Sequence, residues 1–163
     1  KNIFEVIAGS SVMFGVNTQT NGANIGYNLI TKYHNPNYVC LDESEARLAV
    51  QEKFANLEDV LKILTKSLDP EYLIVTMGKK GSIGINRKNE INRTPVFSSK
   101  VIDTVGAGDA FFAYTAPCFA SRLPLDLVSF IGNIVGALAV QIVGNKRSIE
   151  KYEVLEFIHT ILK

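Results

Sequence analysis

Residues 102–112 read IDTVGAGDAFF. Two glycines flank one alanine, Asp103 and Asp109 stand on either side, and an apolar run follows at once. Gly106 and Gly108 can adopt backbone angles closed to other residues, and Asp109 can cap or charge-stabilise a helix start. A tight turn with a cap is therefore the simplest reading. A dinucleotide-binding turn is the second, and it needs G-x-G-x-x-G after a strand, with an acid ~20 positions on at the end of another strand. Phe111 stands where the third glycine belongs, and Asp126, at about the right distance, opens a helix instead of ending a strand. The nicotinamide reading fails on those two residues.

The third reading is an anion hole. Backbone N–H groups at a helix N-terminus point outward without partners, and the helix dipole places roughly half a positive charge there. The small residues Gly106, Ala107 and Gly108 let a phosphate touch those donors. Asp109 would repel that phosphate if binding were the only task. Its presence makes sense where a hydroxyl is deprotonated beside a phosphoryl group held by the N–H cluster, which pairs a general base with electrostatic stabilisation. The Walker pattern GxxxxGK[ST] is absent, so a nucleotide must be held by other means.

The chain around this loop has 163 residues, enough for one ordinary domain with a full core. It is 47% hydrophobic and 20% charged, the composition of a folded protein. A net charge of +1 gives no support to broad nucleic-acid or membrane-surface binding, which need clustered positive charge. No apolar run approaches the ~20 residues of a membrane span. No charged-then-apolar leader is present, so secretion is not indicated. Cys40 in YVCL and Cys118 in APCFA have no His or second Cys at metal spacing, and read as buried free thiols of a cytoplasmic protein. The chain begins at Lys1 and runs directly into a strand-like pattern, as a piece of a longer protein would. His34 and His159 read as surface or interface residues.

Hydrophobic periodicity supplies the frame. Val12–Val16 predicts a buried strand followed by the polar loop Asn17–Asn21, in which Thr20 or Asn21 would cap a helix over Gly22–Tyr33. Asn35-Pro36-Asn37 stops that helix, and Tyr38–Leu41 is a second strand. Ala46, Leu48, Ala49, Phe54, Leu57, Val60, Leu61 and Leu64 form the apolar side of a long helical region that Asn56 can divide in two. Tyr72–Thr76 is a third strand, and Ser82–Asn86 with Glu90–Phe97 alternates like an edge hairpin. Helices follow over Ala110–Arg122, which Pro117 should kink or split, then Leu127–Val143 closed by Gly144, and Glu150–Leu162. Short apolar strands spaced by helices predict an α/β fold with a mainly parallel sheet covered on both faces. Ligands bind beyond the carboxyl ends of such strands, so the loops after Val16, Leu41 and Thr76 and the 103–109 loop are the places to look.

Asp103-Thr-Val-Gly-Ala-Gly-Asp109-Ala-Phe111 closely resembles the second signature of the ribokinase/PfkB family of carbohydrate kinases, D-T-x-G-A-G-D-x-F. Val75-Thr76-Met77-Gly78-Lys-Lys-Gly81 resembles the family's nucleotide-binding V-T-x-G-x-x-G, and Asp42-Glu-Ser-Glu45 its N-x-x-E element. The stretch from Asn133 to Gly144 resembles the helix beside the adenine. The resemblance spans essentially the whole chain but matches only the carboxyl-terminal part of a family member.

It implies a three-layer ribokinase-like fold, Rossmann-like and incomplete, with the amino-terminal sugar-binding half and the small β-sheet lid absent. It makes Asp109 the base that activates a sugar hydroxyl, and Gly106, Ala107 and Gly108 the anion hole. Thr76, Gly78 and Gly81 would line an ATP site, Asn133 would lie near the base, and Asp42 would border the nucleotide. Glu45 would help hold Mg²⁺ and its waters. Asp103, the Val105 carbonyl and the loop near Gly144–Ser148 correspond to a site for a monovalent cation such as K⁺. Asp42 replaces the family's usual asparagine, which leaves open a non-catalytic nucleotide-binding or assembly module of the same fold. The pattern near Asn17–Asn21 resembles the heptose-phosphate kinase-like members most closely. The expected partners are a nucleotide and a small sugar, with homo-oligomerisation or self-association through the face that a missing half would leave exposed.

Overall fold

The computed structural model describes residues 6–7, 10–20, 22–98 and 101–163. The strand-like opening at Lys1 and the capping role of Asn21 lie outside the described residues. The strands are β1 (Gly15–Asn17), β2 (Tyr38–Asp42), β3 (Tyr72–Thr76), β4 (Ser82–Asn86) and β5 (Ile91–Thr94). The helices are α1 (Glu43–Val50), α2 (Leu57–Leu68), α3 (Ala107–Ala120), α4 (Leu125–Ala139) and α5 (Lys151–Ile161). The strands make one five-stranded sheet in the order β1-β2-β3-β4-β5. The five residues between β3 and β4 and the four between β4 and β5 are too few for the crossover that parallel neighbours need. The sheet is therefore mixed, and the α/β class expected from the sequence holds. The chain divides into two compact units, residues 1–75 with 84–91 and residues 76–83 with 92–163.

In the first unit β1 and β2 pair in parallel, with Val16 opposite Val39. Asn37 prolongs the pairing: its N–H donates to the Phe14 carbonyl at 2.7 Å, and its Oδ1 accepts from the Phe14 N–H at 2.8 Å. Tyr38, Val39, Cys40 and Leu41 are all buried, as expected of a strand covered on both faces. Asn56 does divide the long helical region, accepting the Glu58 N–H at 3.1 Å as the N-cap of α2. Leu57, Val60, Leu61, Leu64 and Leu68 bury one face of α2 at helical spacing. Phe54 falls in the link between the helices and is 90% exposed, not part of the apolar side.

The helix expected over Gly22–Tyr33 is not formed. Residues 22–27 are turns, and only Ile30–Lys32 makes a 3-10 turn. Gly26 takes φ +79, a conformation that ends a right-handed helix, and Ile25 and Tyr27 are exposed. Only Ile30 of that apolar set is buried, so no continuous face exists to pack. The strand expected over Val12–Val16 is shifted to Gly15–Asn17, and Val12 is exposed.

In the second unit α3 and α4 are in close contact. A Cβ on Gly132 would run into the Phe111 ring and the Thr115 methyl, so α4 needs a glycine there. Thr115 returns its hydroxyl to the Phe111 carbonyl at 2.8 Å. Ile134, Val135, Ala139, Ile149 and Val154 form a core, and Phe97 meets Phe130 edge-on at 5.3 Å beside it. Helix boundaries differ from expectation. α3 starts at Ala107, runs unsplit past Pro117 and ends at Ala120, whereas α4 starts at Leu125, ends at Ala139 and leaves Val143–Asn145 as a separate 3-10 turn. Cys40 is buried and its thiol is pushed up to about 12 by that burial, but Cys118 is only half-buried. His34 and His159 are exposed.

Candidate active site

The glycine loop enters α3 through Gly106, the N-cap, at φ +76 in the left-handed region. No side chain caps this helix. Ala107 donates to the Thr104 carbonyl at 3.3 Å, and Ala110 begins the helical ladder by donating to Gly106 at 2.9 Å. Gly108 and Asp109 lie between them, in the first turn, where a helix has no carbonyl of its own to offer. A Cβ on Gly108 would meet nothing within 4 Å, so its side of the turn is open. Asp109 is exposed beside it.

Asp103 secures the loop from below. Its Oδ1 accepts the Val105 N–H at 3.0 Å and its Oδ2 the Gly144 N–H at 2.8 Å. These donors, Val105 foremost, hold its carboxyl below the usual aspartate range. Ile102 and Asp103 also donate their N–H groups to the Val140 carbonyl, at 2.8 and 3.1 Å. The glycine loop and the 140–144 segment are thus tied together by one carboxylate and the backbone.

Thr76 ends β3, and the turn after it closes on itself: Met77 N–H donates to Gly81 O at 2.8 Å, and Gly81 N–H to Gly78 O at 3.0 Å. Gly78 and Gly81 both take positive φ, +55 and +84. A Cβ on Gly81 would overlap the Thr94 carbonyl and the Pro95 backbone, whereas one on Gly78 meets open space. Gly81 is thus needed for packing, and the Gly78 position faces open space. Lys79 and Lys80 are exposed in the same turn. Asn133 is 7% exposed, and its amide nitrogen donates to Ser82 Oγ at 2.6 Å and to the Ser129 carbonyl at 2.8 Å.

In the first unit, Asp42 caps α1. It accepts the Glu45 N–H at 2.7 Å and the Ser44 hydroxyl at 2.6 Å. Glu45 reaches back to the Asp42 N–H at 3.0 Å, completing a capping box, and its other oxygen accepts the Thr20 N–H at 2.9 Å. Glu45 is buried, at 8% exposure, and not an exposed first-turn residue. Burial, reinforced by the Asp42 charge, pushes its carboxyl above the usual glutamate range. The polar loop expected near a ligand is thus pinned to the start of α1 through Thr20.

The sequence profile of the pfkB family of carbohydrate kinases matches residues 29–151. This chain belongs to that family. A bifunctional protein HldE of Koribacter versatilis is 29% identical over 128 residues, covering 77% of this chain and 26% of its own. Phosphofructokinase-2 of Escherichia coli, solved in complex with potassium, superposes with a TM-score of 0.81 at 14% identity, over 99% of this chain and 51% of its own. Ribokinase of Arabidopsis thaliana, solved with ribose and ATP, gives a TM-score of 0.77 at 16% identity, over 96% of this chain and 50% of its own. At such identities the structural likeness establishes the ribokinase-like fold. The chain spans about a quarter of the curated relative and about half of each of these pfkB-type structures.

Among the described residues no group of three or more His, Cys, Asp or Glu is arranged to hold a metal, and no helix is long and apolar enough to cross a membrane. Ser82 and Gly132 were not singled out by sequence reasoning. The available signal was a polar Asn133 beside a glycine on a largely apolar helix.

Proposed function

We propose that this chain supplies the ATP site, the anion hole and the catalytic base of a kinase that phosphorylates a hydroxyl of a sugar or sugar phosphate. The observation that carries the reading is the start of α3, where a left-handed glycine cap, first-turn N–H groups without helical partners and an exposed carboxylate occupy adjacent positions. The Asp109 carboxylate takes the proton from the acceptor hydroxyl. The freed oxygen attacks the γ-phosphorus of ATP, the bond from that phosphorus to the β–γ bridging oxygen breaks, and ADP leaves. The N–H groups around Gly106, Ala107 and Gly108 stabilise the negative charge on the transferring phosphoryl, that of Ala107 exchanging its 3.3 Å bond to the Thr104 carbonyl for the phosphate.

Thr76, Gly78 and Gly81 shape the nucleotide turn, with Gly78 the open position. Mg²⁺ would neutralise phosphate charge in this reaction. Glu45, whose two carboxyl oxygens each accept one backbone N–H, is the residue that would help hold that ion and its waters. Asp103 keeps acceptor capacity toward a monovalent cation, with the Val105 carbonyl and the Gly144–Ser148 loop as the other candidates. The chain by itself is expected to bind Mg-ATP or ADP weakly and to turn over no sugar, because half of the length of its structural relatives lies outside it. Calorimetry with ADP on the folded chain tests the nucleotide half of the reading, and absence of heat at millimolar ADP rejects it. Turnover with sugars and sugar phosphates by the complete protein tests the other half.

A further inference from the structure

The geometry points to Asn133 as a positioning residue for the Met77–Gly81 turn, acting through Ser82. The consequence for nucleotide affinity rests on the nucleotide reading of that turn; the mechanical role does not. Asn133 lies on α4 among the buried Ile134, Val135 and Ala137, where an unbonded amide would carry a desolvation penalty. Its two amide protons are both used, one on Ser82 Oγ at 2.6 Å and one on the Ser129 carbonyl at 2.8 Å. Because the Ser129 carbonyl can only accept, the nitrogen must face it, which fixes the orientation of the amide. No N–H of Asn133 is left to recognise a base.

Ser82 is 1% exposed and directly follows Gly81. The end of the turn is held at three points in this unit. The Met77–Gly81 hydrogen bond closes it, and Gly81 lies against the Thr94 and Pro95 backbone. Both of those are main-chain contacts. The Ser82–Asn133 bond is a side-chain tie, and it links the turn to α4 across 51 positions of sequence.

The test uses Ser82→Ala, Asn133→Leu and the double variant, with hydrogen exchange, thermal unfolding and ADP titration on each. Ser82→Ala removes the hydroxyl without changing the backbone, so it remains informative where Asn133→Leu does not fold. Exchange at residues 77–82 is expected to quicken about tenfold in Ser82→Ala, as the loss of one buried hydrogen bond implies, while exchange in α5 stays unchanged. ADP affinity is expected to fall about tenfold, with the double variant no weaker than either single one. Unchanged exchange at 77–82 in Ser82→Ala overturns the proposal. So does a loss of ADP affinity in Asn133→Leu with none in Ser82→Ala, which would mean that Asn133 touches the nucleotide directly. If the parent chain binds no ADP, the exchange data still decide the mechanical role, and the nucleotide reading falls alone.

Discussion

Four helices of this chain carry an acid at their third residue, Glu45 in α1, Asp59 in α2, Asp109 in α3 and Glu153 in α5, and α1 and α3 put it to opposite use. In α1, Glu45 turns back onto the Asp42 N–H while Asp42 accepts the Glu45 N–H, so the helix start is closed by its own side chains. In α3, Asp109 follows a glycine cap that has no side chain to exchange, and no side chain caps the first turn. Aspartate is also one methylene shorter than the glutamate or glutamine that a capping box uses. One helix start is closed by its own side chains, and the other is not. A third helix supports the contrast: Glu153 of α5 accepts the Glu150 N–H at 2.9 Å and is gripped by Arg147 at 2.8 Å on both oxygens. An acid in the first turn is thus common in this molecule; those of α1 and α5 close their helix starts, whereas Asp59 of α2 only lies 3.7 Å from Lys62 and Asp109 makes no capping bond.

The sharpest way to break the comparison is Asp109→Asn in the complete protein. It should lower kcat about a hundred- to ten-thousandfold, the range a general base contributes, while ADP affinity stays close to that of the parent. Near-normal turnover would remove Asp109 from the base role. Gly106→Ala comes next, because it places a Cβ at φ +76 and should cost about 1–2 kcal/mol in a denaturant melt. An unchanged melt would mean the left-handed cap is not required.

The closed helix start gives a smaller effect. Asp42→Ala should cost about 1 kcal/mol, whereas Asp42→Asn, which keeps a capping oxygen, should stay within a few tenths. Equal losses in the two variants would show that the negative charge, not the cap, matters at this position.

The smallest effects are those of pH, and here the two capping glutamates should diverge in sign. The Arg147 guanidinium, with help from the Glu150 N–H, holds the Glu153 carboxyl down at about 2. Its contribution to stability is therefore present above the ordinary glutamate range and lost as pH falls toward about 2. Glu45 is raised by burial, so its contribution is full in acid and lost as pH rises through its elevated value. Melts of Glu153→Gln and Glu45→Gln against the parent, in metal-free buffer across acid pH, should show opposite slopes. Slopes of the same sign would contradict the burial account of Glu45.

Local signals in the sequence located much of the fold. Tyr72–Thr76 is a strand over the residues expected, and the break at Asn56 and the capped start of the last helix follow from residue chemistry within a few positions. The segment 22–33 shows where such signals fail. Three apolar residues at helical spacing did not outweigh Gly26 in the left-handed region and the lack of a common buried face. Pro117 shows the reverse, since tertiary packing through Phe111, Thr115 and Phe119 sustains α3 past a residue that lacks an N–H.

The family signatures and the positions of Asp42, Glu45, Asp103, Gly106 and Asp109 could be read from the chain alone. Their states could not. Glu45 is buried because Thr20 of a preceding loop comes to its oxygen, and Asp103 is depressed partly because Gly144, 41 positions on, gives it an N–H. Asn133 meets Ser82 only after α4 has packed. Sequence periodicity records which residues prefer a helix or a strand. It does not record which distant donors will share a low-dielectric interior, and those donors decide which carboxylates and amides are already engaged and which remain available for chemistry.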